Sequence, residues 1–294
     1  MMPFRYEAPE TLEKAFALLT ESPGGAVPLA GGTDLLVQVR RMHAPPAAIV
    51  DLKQLPDLKS IESGEVGIRF GATVTCSQLR HDPAIGRGYP AVADAVALIG
   101  GTAIQNRATL GGNLCNASPS ADSIPALIVH RAVCTVIGPE GLREVPVGEF
   151  CTGPGATVLQ PGEVLIAFTL PPSGNREASA YHRFTPRGEM DIAVAGVAAW
   201  LVLDDDGRIA DARIALAAVA PTPLEVVGAA DLLKGEHPDA EAFAAAARSA
   251  GDASRPIDDH RGSAAQRRHL VGVLTRRALE TALTRVPNVN ENPS

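Results

Sequence analysis

The stretch "IAVAGVAAWLVLDDDGRIADARIALAAVAPTPL", Ile192 to Leu224, constrains the fold most. Two long apolar runs flank "DDDG", and the Asp206-Gly207 pair favours a tight turn, so the segment is predicted to be a long β-hairpin. Three helix-like segments follow: "VVGAADLLKG", "DAEAFAAAARSA" and "SAAQRRHLVGVLTRRALETALTR". In the last, Leu270, Val273, Leu274 and Ala278 fall at i, i+3, i+4 and i+8, one apolar face. The C-terminal part therefore reads as a sheet covered by helices. Its start is marked by "PPSGNREA", 171–178, a run of turn residues.

Upstream the texture alternates. "FRYEAP", "GAVPLA" and "AAIVDL" read as strands, and "PETLEKAFALLTE" as a helix with Leu12, Ala15, Phe16 and Leu19 on one face. "GGTDLLVQVR" reads as a second helix with Thr33 or Asp34 as N-cap. A second unit opens with "VGIRFGATVT", continues through helices at "CSQLRHDP" (capped by Thr75), "PAVADAVALIG" and "DSIPALIVH", and closes with strands at "AVCTVIG" and "EVLIAFTLPP". The fold class is α+β, with two small α/β subdomains, 1–58 and 59–176, and a sheet-plus-helices domain, 177–294. The tail "NVNENPS" is expected to fray.

With 46% hydrophobic but only 4% aromatic residues, the core must be built from Ala, Val, Leu and Ile. The net charge of −7 argues against a nucleic-acid or anionic-membrane surface, which needs a basic field. No apolar run reaches the roughly 18 residues of a membrane span. "MMPFRYEAPE" lacks the regions of a signal peptide, so the chain is expected to be cytoplasmic. Cys76, Cys115, Cys134 and Cys151 show no C-x-x-C spacing and the histidines no H-E-x-x-H pairing, so no metal is expected in this chain. His130 and His182 sit beside apolar residues and read as structural. No nucleophile elbow or triad spacing occurs, so no catalytic side chain is assigned.

Two glycine pairs remain. "AGGTDLL", Ala30 to Leu36, follows a strand and precedes a helix. Glycine lets the backbone approach an anion, and a helix start offers unpaired N–H groups, so the stretch suits a phosphate. A plain strand-to-helix turn would use the same residues. "TLGGNLCNASPSAD", Thr109 to Asp122, reads as a loop between two helices: Gly111 and Gly112 permit close approach, while Thr109, Asn113, Asn116, Ser118 and Ser120 offer hydrogen bonds. Asp122 stands at a helix start, able to cap it or hold a ribose hydroxyl. Two such loops on successive units fit an extended dinucleotide. A third stretch, "YHRFTPRGEMDIAV", carries Arg183, Arg187, Glu189 and Asp191, which are either a solvated sheet edge or, for Arg183 and Asp191, groups facing a ligand.

Together "AGGTDLLVQVR", "IQNRATLGGNLCNASPSAD", "YHRFTPRGEMDIAVAG" and "DDHRGSAAQRRHLVGVLTRRAL" resemble the FAD-binding subunit of molybdenum hydroxylases, a group that includes the medium subunit of bacterial carbon monoxide dehydrogenase and the flavin domain of xanthine dehydrogenase. The resemblance runs along nearly the whole chain. It implies that the first two units sandwich FAD and the third closes over the ring. Ala30, Gly31, Gly32, Thr33, Asp34 and Leu35 would wrap the pyrophosphate. Thr109, Gly111, Gly112, Asn113 and Asn116 would hold it from the second loop. Asp122 would bind the ribose or ribityl region, and the Leu159 backbone the adenine side. Ile99 and Ile192 would lie near the ring, with Asp191 organising its surroundings. Arg183 stands where relatives often carry lysine. The resemblance also implies a molybdopterin-binding large subunit, a small subunit with 2Fe–2S clusters, a dimer of heterotrimers and an external electron acceptor. Two other readings stay open: a stand-alone FAD-dependent oxidoreductase of the same fold, and an assembly subunit without FAD.

Overall fold

The computed structural model describes residues 4–22 and 24–287, so the tail lies outside the described residues. The first unit is β1 (Arg5–Glu7), α1 (Leu12–Glu21), β2 (Ala26–Leu29), α2 (Leu35–Arg41) and β3 (Ala48–Asp51). Its strands are all parallel in the order β1-β3-β2, because each pair is joined by a crossover helix. The predicted face of α1 is the observed one. Ala15 is buried, and Leu12, Phe16 and Leu19 pack on the cluster that contains Val50 and Leu52.

The second unit runs β4 (Ile61–Gly64), β5 (Gly67–Gly71), α3 (Cys76–His81), α4 (Pro83–Gly88), α5 (Pro90–Leu98), α6 (Thr102–Gln105), α7 (Leu110–Cys115), α8 (Ser123–Val129), β6 (Val133–Gly138), β7 (Gly141–Pro146), α9 (Val147–Phe150), β8 (Cys151–Gly153), β9 (Ala156–Thr157) and β10 (Val164–Leu170). Its five-stranded sheet, β4-β5-β10-β6-β7, is antiparallel throughout. Thr75 caps α3 in a full capping box with Gln78. β10 is buried on both faces. Val164 and Ile166 join the first unit's core, and Leu165 and Phe168 join the second's.

The third unit is β11 (Glu177–Phe184), β12 (Ala195–Leu203), β13 (Ile209–Ala217), β14 (Leu224–Glu225), α10 (Val227–Asp231), α11 (Ala240–Ala253) and α12 (Ala264–Arg285). The hairpin forms as predicted, with Gly207 at φ +75° in its turn and β12 paired to β13. Its runs are unbroken because both faces are covered. Val197, Ala199 and Leu201 meet α11 and α12, whereas Ala198 and Trp200 join the second unit's core. Two readings need correction. "YHRF" belongs to β11, which pairs with β12 from Glu177 to Phe184, so Arg183 stands within a strand. In α12 the buried face is Arg267, Val271, Leu274, Thr275, Ala278, Leu279 and Ala282. Leu270 and Val273 sit at its margin because the helix wedges between α11 and the β11–β12 face.

A polar joint links the second and third units. Ser179 is fully buried; its hydroxyl accepts from the Ala91 N–H at 2.9 Å and pairs with His130 Nε2 at 2.9 Å. Burial, reinforced by Arg213, holds His130 down to about 3. The unfolded chain takes a proton at His130 near pH 6.5 and the folded chain does not until about 3, so stability falls as pH drops through this window. His130→Gln should remove up to about 1.4 kcal/mol of this loss per pH unit between about pH 6.5 and 5. Urea unfolding at stepped pH checks it; an unchanged slope in the variant contradicts it.

Candidate functional site

A cavity of about 420 Å³ opens between the first two units, within the range typical of small-ligand sites. Ala30, Gly31, Gly32, Thr33, Asp34, Leu35, Ile99, Thr109, Gly111, Gly112, Asn113, Asn116 and Leu159 all line it. Both glycine stretches, separated by more than seventy residues of sequence, thus face one space. Asp122, Arg183, Asp191 and Ile192 are not among its lining residues.

The first stretch links β2 to α2. A Cβ on Gly31 would lie 2.1 Å from the Arg107 carbonyl oxygen, and Gly32 has φ +81°, so protein packing alone requires both glycines. What packing does not explain is the hydrogen-bond account. The N–H groups of Gly31, Gly32, Thr33 and Asp34 have no backbone acceptor among the described residues. These half-buried to exposed residues enter α2, and four free donors in succession on a cavity wall suit an acceptor-rich ligand. The Ala30 carbonyl, by contrast, accepts from Lys53 Nζ at 3.0 Å. Lys53 is anchored to Asp51 at 2.6 Å, and Tyr6 donates to the other Asp51 oxygen. Asp34 occupies the N-cap position of α2 without making a side-chain cap bond, and burial raises its carboxyl above the usual range.

The second stretch is not the loop that its composition suggests. Residues 110–115 form α7, with Thr109 as N-cap accepting the Gly112 N–H at 3.0 Å. A strong cap and a bridge from Thr109 to Thr75 outweigh the poor helix propensity of two glycines. A Cβ on Gly111 would lie 2.5 Å from the Ala72 carbonyl oxygen. Gly112 differs. A Cβ there would meet only the Thr109 hydroxyl at 3.1 Å and Ala30 Cβ at 4.0 Å, on the opposite side of the cavity. Gln38 donates to Asn116 Oδ1 at 2.8 Å and so ties α2 to the end of α7. Asn113 accepts from Ser123 at 2.6 Å.

Asp122 precedes α8 but makes no cap bond. Its carboxylate is buried against β11. Oδ1 accepts from the Tyr181 hydroxyl at 2.7 Å, and Oδ2 pairs with Arg183 at 2.5 Å. Burial raises the Asp122 carboxyl above its usual range, with Arg183 opposing the shift; burial also pushes the Tyr181 hydroxyl well above 10, with Asp122 adding to it. Asp122 and Arg183 thus satisfy each other. Asp191 accepts the N–H of Ile192 at 2.8 Å, and Ile192 is exposed. Their loop rests on the second unit through Met190, whose sulfur accepts the Gly101 N–H at 3.0 Å, two residues from Ile99.

Sequence reasoning missed several lining residues, notably Gln38, Thr73 and Glu163. Gln38 lies one helical turn beyond Asp34, a spacing that points back to the same site. Glu163 carries no such signal; it is fixed by a two-pronged pair with Arg143 at 2.6 and 2.7 Å. Cys115 lines the cavity, open to it yet deep within it, and burial pushes its thiol up to about 12. Burial likewise raises Cys76, Cys134 and Cys151. Among the described residues, no group of three His, Cys, Asp or Glu side chains converges to hold a metal.

Comparison with known proteins gives a consistent result. A family model described as the FAD binding domain in molybdopterin dehydrogenase matches residues 2–173, and the CO dehydrogenase flavoprotein C-terminal domain matches 179–282. The chain is 34% identical over 280 residues to a xanthine dehydrogenase FAD-binding subunit of Escherichia coli O157:H7, covering 95% of each. It is 33% identical to the carbon monoxide dehydrogenase medium chain of Afipia carboxidovorans, covering 97% of this chain and 98% of that one. A solved chain of carbon monoxide dehydrogenase from Hydrogenophaga pseudoflava superposes with a TM-score of 0.92 at 31% identity, covering 98% of this chain and all of that one.

Proposed function

The chain belongs to the FAD-binding subunits of the molybdenum hydroxylase family, and from that premise we propose that it relays electrons from iron–sulfur clusters on a partner through FAD to an external acceptor. The observation that carries the FAD placement is that Gly31 to Asp34, whose N–H groups have no acceptor among the described residues, line one cavity with Gly112. A pyrophosphate needs close backbone donors on one side and no Cβ on the other, and this geometry offers both. Bound FAD supplies the exchange between one-electron donors and two-electron acceptors. The chain's own residues bind and orient. Ala30 to Leu35 and Thr109 to Asn116 hold the pyrophosphate, and Leu159 borders the adenine end. Ile99 lies on the ring side, with Asp191 and Ile192 approaching from the third unit's loop. Asp122 and Arg183 act as a pair that fixes α8 against β11, rather than as separate ligands. No side chain is asked to move a proton.

The partners in this reading are a molybdopterin-binding large subunit and a small subunit with 2Fe–2S clusters, assembled as a dimer of heterotrimers in the cytoplasm. The division at 58/59 and 176/177 makes two FAD-binding subdomains and one closing domain. No helix among the described residues is long and apolar enough to cross a membrane. The test is purification of the tagged full-length chain from its native cell. FAD, molybdenum and iron should co-elute with two further chains. A chain that elutes alone, with FAD but neither metal, contradicts the subunit reading.

A further inference from the structure

The motif "DDHRGSAAQRR" at the start of α12 takes no part in the cavity, yet it seats a buried arginine against two other segments. Arg267 is 3% exposed. Its Nη1 donates to the Val194 carbonyl at 2.8 Å and to the Ala218 carbonyl at 3.0 Å, and its Nη2 pairs with Asp259 at 2.7 Å. Asp259 is presented by a tight turn: its Oδ1 also accepts the Arg261 N–H at 2.8 Å, and its backbone bridges Gly262.

Neither Val194 nor Ala218 lines the cavity, but the N–H of each bonds onward to a segment that leads toward it. The Val194 N–H donates to the Phe184 carbonyl at 2.9 Å, closing the loop that carries Met190, Asp191 and Ile192. The Ala218 N–H donates to the Pro119 carbonyl at 2.7 Å, in the segment between Asn116 and Asp122. Among the described residues, three of the four non-glycine residues with positive φ lie in or beside these segments: Ala117 at +47°, Met190 at +55° and Ala218 at +66°. Such backbone persists only where its surroundings over-determine it, and it concentrates at functional sites.

Stability does not account for the arrangement. α12 is already docked by Val271, Leu274, Ala278, Leu279 and Ala282. An ion pair whose Asp259 side is solvent-accessible is weak support for a fold, and Arg267 Nε is buried without a partner among the described residues, which costs stability. We propose that the Asp259–Arg267 pair is a positioning device that sets the third unit's loop and the 116–122 segment in register around the bound FAD. Arg267 is thus a positioning residue, and the inference rests on the FAD reading of the cavity.

The experiment compares the full-length chain with Arg267→Met, Arg267→Lys and Asp259→Asn by FAD titration, visible circular dichroism of the bound flavin, and thermal unfolding. Arg267→Met should weaken FAD binding by about tenfold, the lower end of what supporting partners of a ligand site cost. It should also change the visible dichroism, with Arg267→Lys restoring part of both. Asp259→Asn should move both readouts in the same direction and decides the matter if Arg267→Met does not fold. Variants that melt earlier but keep the unaltered chain's affinity and dichroism overturn the inference and leave the cavity reading intact. An unaltered chain that takes up no FAD overturns both.

Discussion

Gly112→Leu yields a chain that folds but does not retain FAD. At this glycine a Cβ crowds only the Thr109 hydroxyl at 3.1 Å, which must shift by a few tenths of an ångström, and reaches Ala30 Cβ at 4.0 Å. The remaining leucine carbons then extend toward Ala30, into the space between the two backbone stretches. Overpacking of this kind costs about 1–3 kcal/mol, or about a ten- to hundredfold loss of affinity. Gly31→Ala should behave in the opposite way. Its Cβ would lie 2.1 Å from the Arg107 carbonyl oxygen, so the first unit must distort and the melting temperature must fall whether or not FAD is present. Flavin content and thermal unfolding, measured on both variants, separate a glycine required by a ligand from one required by packing. Full flavin occupancy in Gly112→Leu contradicts the proposed close approach.

Arg183→Met destabilises the chain by about 3–5 kcal/mol near pH 7.5, because it strands a buried carboxylate. In the unaltered protein, Arg183 offsets the burial that raises Asp122. Without it, the folded-state pKa rises further above that of the unfolded chain. Folded Asp122 then holds a proton that the unfolded chain has released, so the variant gains stability as pH falls toward 5. The deficit should shrink by up to about 1.4 kcal/mol per pH unit in that window. Urea unfolding at several pH values measures it. A pH-independent deficit below about 1 kcal/mol would mean that the pair acts as a solvated surface contact.

Legibility in the sequence followed the number of covered faces. α1, with one buried face, was readable from its spacing alone. The β12–β13 hairpin was readable because burial on both faces turned each strand into an apolar run around a Gly turn. β11 is hidden: "EASAYHRF" mixes small and charged residues because Arg183 and His182 take distant partners, the buried Asp122 and the half-buried Thr281, that no local pattern announces. β5 and β6 are legible, but their hairpin partners β4 and β7 are not, because those outer strands are largely exposed and lack an apolar face. α7 reads as a loop because composition weighs two glycines without the Thr109 cap that offsets them. The cavity was legible as two glycine stretches, since backbone that must approach a ligand leaves a mark in residue type. The Arg267 and Asp122 contacts were not, because they depend on which distant carbonyl or guanidinium the fold delivers.

If the cavity between the first two units holds FAD, an absorption spectrum of the purified full-length chain before and after FAD titration reveals it directly. Flavin bands are expected in the isolated or reconstituted chain, near one FAD per chain, released by acid as intact FAD and strongly reduced in Gly112→Leu. A folded chain that shows no flavin bands and takes up no added FAD, alone or with co-purified partners, would contradict it.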